Sequence, residues 1–324
     1  LSSSWNYFYN TSENYYTKNM PFSKDQKDKI FIYHLNKSDD LALSLNQIKD
    51  NLYDWKFLNM IRFRNVEDYK AMFTFTGRNK LGCKELAKSL GIRVPQTYQV
   101  VDSIKEIKWD KLPKSYVIKP SNLDGAQKIY AVHKGVNTIT GKKKDKSEIA
   151  KDYKDFKTKQ MEKELNRFLH KILKPKIIVE EFVRTHSKKY SIPIDYKCYV
   201  FRGELKFILV IDGERDRKRF SFYDREWNNI PNSTFSTNTD PLIVPVSKPK
   251  LLDKLINNAE TLGQELNKRM NGCWEGQFLR IDFYISDEDV YFGEFALFPN
   301  GGKGKNVSKE GQRLFAKYWL GEIP

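Results

Sequence analysis

Apolar and polar positions along the 324 residues switch between helical and strand-like spacing. In Asn79–Leu90, Leu81, Leu86, Ala87 and Leu90 recur at helical intervals; Gly91 and then Val94-Pro95 end the helix ahead of a strand at Gln96–Val101. Ser115–Pro120 is a β-branched run with Lys119 near its end. A polar turn holding Gly125 leads into a second strand, Ala126–His133, so the two read as a hairpin with a movable tip. Ser147–Leu173 predicts a long charged helix with Ile149, Tyr153, Phe156, Met161 and Leu165 on its apolar stripe, stopped by Pro175. Strands follow at Lys176–Val183, Tyr196–Phe201 and Glu204–Ile211, the last two turning through Arg202-Gly203. A helix over Ser247–Met270 precedes strands at Gly276–Ile285 and Val290–Leu297, joined by an acidic turn. Strands dominate the C-terminal half, so the expected class is α+β.

With 40% hydrophobic and 14% aromatic residues, the chain has the apolar surface to offset the entropy of ordering. Its length suits two or three packed subdomains. The three cysteines, Cys83, Cys198 and Cys273, have no zinc-like spacing and an odd count, which points to a reducing compartment. No apolar run approaches the roughly 20 residues that span a bilayer, and the start LSSSWNYFYN lacks the basic and apolar regions of a secretory leader. The expected location is the cytoplasm. A net charge of +16 suits nucleic acid, an anionic membrane or a polyanionic substrate such as a nucleotide, but the stronger reading is a solvating surface of lysines scattered over helix faces. There is no nucleophile-elbow serine, no Walker-type loop and, with four histidines, no His-rich metal cluster.

Acidic side chains inside strand patterns are costly to bury unless paired or metal-bound. Asp282 in LRIDFYI and Glu294 in YFGEFALF are therefore candidates for a Mg²⁺ site on neighbouring strands; the same residues also suit ion pairs with Arg280 or nearby lysines. Arg215, Arg217 and Arg219 form a cluster that fits a carboxylate or phosphate as well as it fits an exposed loop.

A series of segments in order carries a family resemblance: NKL at 79–81 with GIRVP, LPKSYVIKP ending at Pro120, IIVEEFV ending at Val183, DYKCYVFRGELKFI from Asp195, FYDREW from Phe222, LRIDFY from Leu279 and YFGEFALFPNGG from Tyr291. The span from about Asn79 to Pro299 resembles ATP-grasp enzymes, and in detail the teichuronopeptide-biosynthesis-like (TupA-like) branch. The resemblance implies an ATP-grasp fold, ATP and Mg²⁺ as cofactors, and a ligase that joins a carboxylate to an amine through an acyl phosphate. By position, Lys80 and Lys119 resemble the lysines on the α- and β-phosphates, and Gly125 the mobile phosphate loop, although this chain has one glycine there rather than several. Glu180, Glu181, Phe182 and Val183 resemble the strand that reads adenine, with Ile118 as a further wall of the base pocket. Asp195 and Lys197 resemble a polar pair facing the transferred phosphate, Arg280 the guanidinium on the developing oxyanion, and Asp282 and Glu294 the Mg²⁺ ligands. Where the common pattern adds an Asn after that Glu, Ala296 stands here, and Asn300 of the FPNGG turn is the candidate substitute.

The expected division is an N-terminal extension or cap at 1–78, an ATP-grasp N-terminal subdomain with the phosphate loop at 79–183, and a C-terminal catalytic subdomain at 184–324. The expected partners are ATP plus a carboxylate and an amine, for example a sugar acid or glycan and an amino acid or peptide, with no specific nucleic acid. The aromatic-rich N-terminal stretch suits a cap, a homodimer contact or core packing. Two other functions fit the residues: a kinase of a sugar or glycan hydroxyl at the same nucleotide site, and a basic nucleic-acid-binding module, which leaves Asp282 and Glu294 unexplained.

Overall fold

The structure, a computed structural model, describes residues 58–59, 62, 75–77, 79–123, 127–143, 146–157, 174–184, 193–212, 219–236, 246–272, 276–302 and 307–323. Most of the expected cap at 1–78, together with Gly125, Arg215, Arg217 and Cys273, lies outside them.

Two six-stranded antiparallel sheets make the framework. Sheet 1 contains β1 (Thr97–Val101), β2 (Ser115–Pro120), β3 (Tyr130–His133), β4 (Val136–Asn137), β5 (Lys142–Lys143) and β6 (Ile177–Glu181), in the order β1-β6-β2-β3-β4-β5. Sheet 2 contains β7 (Asp195–Phe201), β8 (Glu204–Asp212), β9 (Arg219–Tyr223), β10 (Asn229–Ile230), β11 (Phe278–Ile285) and β12 (Val290–Ala296), in the order β10-β9-β8-β7-β11-β12. The β7–β8 hairpin closes through Arg202 (φ 53°) and Gly203 (φ 82°), the paired left-handed conformation that matches the twist of the strands it joins.

Helix α1 (Lys80–Ser89) starts where the Asn79 side chain accepts a hydrogen bond from the Gly82 N–H at 3.2 Å. Its buried face is Lys80, Cys83, Lys84, Leu86 and Ala87, whereas Leu81 and Leu90, expected on the apolar stripe, are half-buried. The helix is rotated from its hydrophobic reading because two lysines find partners inside the protein. Cys83, Leu86 and Ala87 pack in one core with the inner face of sheet 2 and with α4 (Leu252–Arg269). That helix begins later than Ser247 because the residue before a proline is held out of helical conformation, and Pro249 sits just ahead of it.

Behind sheet 1, Ile118, Tyr130, Ile177 and Val179 pack against Ile149, Tyr153 and Phe156. The first two of these belong to or follow α2 (Lys146–Asp152); turns replace helix from Tyr153 to Lys157, and the rest of the expected 147–173 helix lies outside the described residues. The outer face of sheet 2 is covered at one end by α3 (Asn232–Phe235) and α5 (Lys309–Leu320) over Phe201, Phe207, Phe278, Phe315 and a fully buried Trp319. Sequence spacing assigned no element to α5, although Ser308 caps its start and Gly321 (φ 74°) ends it. The other end of that face carries charge. No helix among the described residues is long and apolar enough to cross a membrane.

Candidate active site

Alternation along β11 puts Arg280, Asp282 and Tyr284 on the outer face of sheet 2. Register then sets each beside a polar residue of β7: Arg280 opposite Tyr199, Asp282 opposite Lys197, Tyr284 opposite Asp195. On the other side Asp282 lies opposite Glu294 of β12. The residues expected to do chemistry on these three strands thus form one patch. Asp282, 2% exposed, accepts from Arg280 Nε and Nη2 at 2.8 Å each and from Lys197 Nζ at 2.5 Å. Lys197 also pairs with Asp195 at 2.6 Å. Glu294 is more open, with Lys80 Nζ at 3.8 Å and Arg280 Nη2 at 4.0 Å.

The protonation preferences follow from this arrangement. Burial pushes the Asp282 carboxyl up, but Arg280 and then Lys197 outweigh it and hold the group below its ordinary value. Burial wins at Asp195, which is raised despite Lys197. Lys197 is raised, since its two carboxylates overcome its burial. Tyr284 is raised well above its ordinary value by burial and by the nearby Asp195 and Glu294 charges.

A bulge shapes the patch. Asp282 pairs with Glu294 and Phe283 with Phe292, which leaves Gly293 as the extra residue. A Cβ there would stand 2.9 Å from the Asp282 carbonyl oxygen and 3.1 Å from Tyr284 Cε2. Gly293→Ala is expected to destabilise the fold by about 1–3 kcal/mol, read as a lowered urea midpoint.

Sheet 1 supplies the opposing cations. Glu180, 3% exposed on β6, takes Lys119 Nζ on Oε1 at 2.5 Å and Lys84 Nζ on Oε2 at 2.8 Å. Burial raises the Glu180 carboxyl, but Lys119 and Lys84 together bring it below its ordinary value, whereas burial depresses the Lys84 ammonium. Lys84 was not among the expected site residues. Glu181 accepts from the Gln96 N–H at 3.0 Å, the Phe182 ring stacks on His133 at 5.5 Å, and Val183 is buried. Ile118, expected as a wall of the base pocket, is fully buried in the core behind the sheet. Side chains alternate across a strand, so Val117 shares the face of Lys119 and Ile118 does not.

Lys80 connects the two sheets. Its ammonium donates to the Gly77 and Leu123 carbonyl oxygens at 2.5 Å each while lying 3.8 Å from Glu294, and its backbone N–H donates to Ser121 O at 3.3 Å. Leu123 follows β2, the strand of Lys119, so α1 ties the end of that strand to the neighbourhood of Glu294 on β12. Asn300 lies in the 3-10 turn Pro299–Gly302 directly after β12.

A Mg²⁺ ion fits the donor set in part. Asp282 and Glu294 are hard oxygen donors on adjacent strands, and Glu294 is the one whose cation contacts are long enough to yield to an ion. Among the described residues no group of three His, Cys, Asp or Glu is placed to hold a metal ion.

The two depressed carboxyls give a signed pH dependence. Glu180 and Asp282 stabilise the fold above their unfolded values near pH 4 and lose that contribution as pH falls through their folded values; the raised Asp195 acts in the opposite sense over its own window. Stability to urea is expected to rise with pH across the acid range and level off above it. A flat acid limb would contradict the pairing.

Comparison with known proteins adds the following. The sequence matches the family described as TupA-like ATPgrasp over residues 76–320. No curated protein matches it. Similar solved structures include D-alanine–D-alanine ligase from Helicobacter pylori, with 15% identity, 85% of this chain and 68% of that chain covered, and TM-score 0.43. An L-amino acid ligase from Bacillus licheniformis has 14% identity over 76% of this chain and 52% of its own length, TM-score 0.43. The ATP-grasp ligase PsnB, solved with a phosphomimetic variant of its minimal precursor, Mg and ADP, has 10% identity over 88% of this chain and 75% of its own, TM-score 0.40.

Proposed function

Because the chain belongs to the TupA-like ATP-grasp family, whose members are ATP- and Mg²⁺-dependent ligases, we propose that it activates a carboxylate as an acyl phosphate and joins it to an amine. We further propose that it adds an amino acid or peptide to a cell-surface polysaccharide or its precursor. The observation that carries the site assignment is the position of Lys80, whose ammonium touches the end of the Lys119 strand and approaches Glu294 of the other sheet. Lys80 of α1 and Lys119 of sheet 1 would then share a single triphosphate with the carboxylates of sheet 2.

In this reading residues 79–183 and 184–324 grip the nucleotide between them. Lys80 and Lys119 hold α- and β-phosphate oxygens as point charges. Gly125, outside the described residues, keeps its expected place in the phosphate loop, and Glu180 to Val183 border the base. Asp282 and Glu294, with Asn300 from the adjoining turn, hold Mg²⁺. When bound, ATP would supply the phosphoryl group that activates the carboxylate, and Mg²⁺ would offset phosphate charge. Arg280, kept rigid by its two bonds to Asp282, presents a guanidinium where an oxyanion develops. Lys197, held between Asp195 and Asp282, stands ready to shift onto the transferred phosphate.

The test is ATP turnover with Mg²⁺ over panels of amino acids, peptides and sugar acids. Phosphate release that requires both a carboxylate and an amine is expected. Transfer of labelled phosphate onto a hydroxyl acceptor would replace the ligase reading with a kinase.

A further inference from the structure

We propose that Lys84 and Glu180 are positioning residues that set the charge and the aim of Lys119 toward the phosphates of a nucleotide. This rests on the reading above that Lys119 meets those phosphates.

The geometry is a buried relay. Lys84 Nζ donates to Pro95 O at 2.8 Å, to Thr97 Oγ1 at 2.7 Å and to Glu180 Oε2 at 2.8 Å, which uses all three of its protons. Lys84 is 3% exposed and so has no access to a ligand. Glu180 passes its other oxygen to Lys119 at 2.5 Å, and the Lys119 side chain, 12% exposed, is the member of the trio that reaches the open side.

Two ammonium groups share one carboxylate, so the trio keeps one positive charge in surplus. Glu180 and Lys119 alone would form a neutral pair whose field largely cancels for an approaching polyanion. Lys84 balances Glu180 from behind, and the low-dielectric surroundings let that balance be felt at Lys119. Glu180 also fixes the long lysine stem in one direction before any ligand arrives, which lowers the ordering cost of binding. Lys84 and Lys80 are one turn apart on α1, so the helix that balances Lys119 also delivers the second phosphate lysine.

The experiment compares binding of ADP and of adenosine, by displacement of a fluorescent ADP analogue, across folded variants checked by thermal melting. Lys84→Met is expected to weaken ADP about tenfold and to leave adenosine, which has no phosphate, unchanged. The double variant Lys84→Met/Glu180→Leu removes a cation and an anion together and restores the surplus on Lys119 but frees its stem, so it is expected to bind ADP better than Lys84→Met and less well than the unaltered protein. If Lys84→Met does not fold, the double variant decides alone: a loss of ADP as complete as that of Lys119→Met would overturn the charge account. Equal weakening of ADP and adenosine by Lys84→Met, or no change in either, would reduce Lys84 to a fold support and also overturn it. Lys119→Met is the control on the underlying reading. If that variant binds ADP normally, the nucleotide assignment falls and this inference with it, whereas a strong Lys119 effect beside a silent Lys84 sinks the inference only.

Discussion

Asp282→Asn is expected to lower ATP turnover by about 10²-fold or more and, in the same protein, to lower stability by about 3 kcal/mol. The two effects share a cause. The Asp282 carboxylate, 2% exposed, binds the Arg280 guanidinium through two hydrogen bonds and Lys197 through a third contact. An amide of the same size offers one acceptor and no charge. Arg280 then lies largely buried with its bidentate anion gone, Lys197 keeps only Asp195, and the guanidinium loses the fixed direction on which transition-state stabilisation depends. Glu294→Gln provides the contrast. Its side chain is 35% exposed and its cation contacts are long, so stability is expected to move by no more than about 0.5 kcal/mol while turnover falls and the Mg²⁺ requirement rises. Turnover assays over a Mg²⁺ series and urea unfolding separate the cases. Full turnover in both variants would remove the metal assignment.

Glu180→Leu is expected to be among the most destabilising single changes in the chain, at about 3–5 kcal/mol. The loss is not that of one surface ion pair. It leaves the Lys84 ammonium, 4% exposed in its side chain, inside the protein without its counter-charge, and it frees Lys119 as well. A buried charge without a partner is costly, whereas replacing the pair by apolar groups is often close to neutral. Lys84→Met/Glu180→Leu should therefore recover most of the loss. Urea unfolding of the two single variants and the double variant gives the coupling directly, and additive effects would mean that the two side chains do not share the bond.

Strand chemistry was legible in the sequence where the signal is local. The alternating LRIDFYI run put Arg280 and Asp282 on one face, and Arg202-Gly203 announced the hairpin. Strict attention to parity would also have found Tyr284 and Tyr199, which share that face, and would have exchanged Ile118 for Val117. Lys84 was not legible, because it reads as a solvated helix lysine until Glu180, distant by 96 residues in sequence, is folded against it. Helix α5 carries local end signals of its own, a serine cap at Ser308 and a left-handed glycine stop at Gly321.

The patch on sheet 2 exists because every second residue of β11 faces the same way, in register with β7 on one side and β12 on the other. Losing a single amino acid between Arg280 and Tyr284 would turn part of this row inside out, driving ionised groups into the oily layer beneath α4 and bringing greasy ones to the front. The interior of this strand therefore cannot change length without losing the row, whereas the connection at 286–289 lies beyond it.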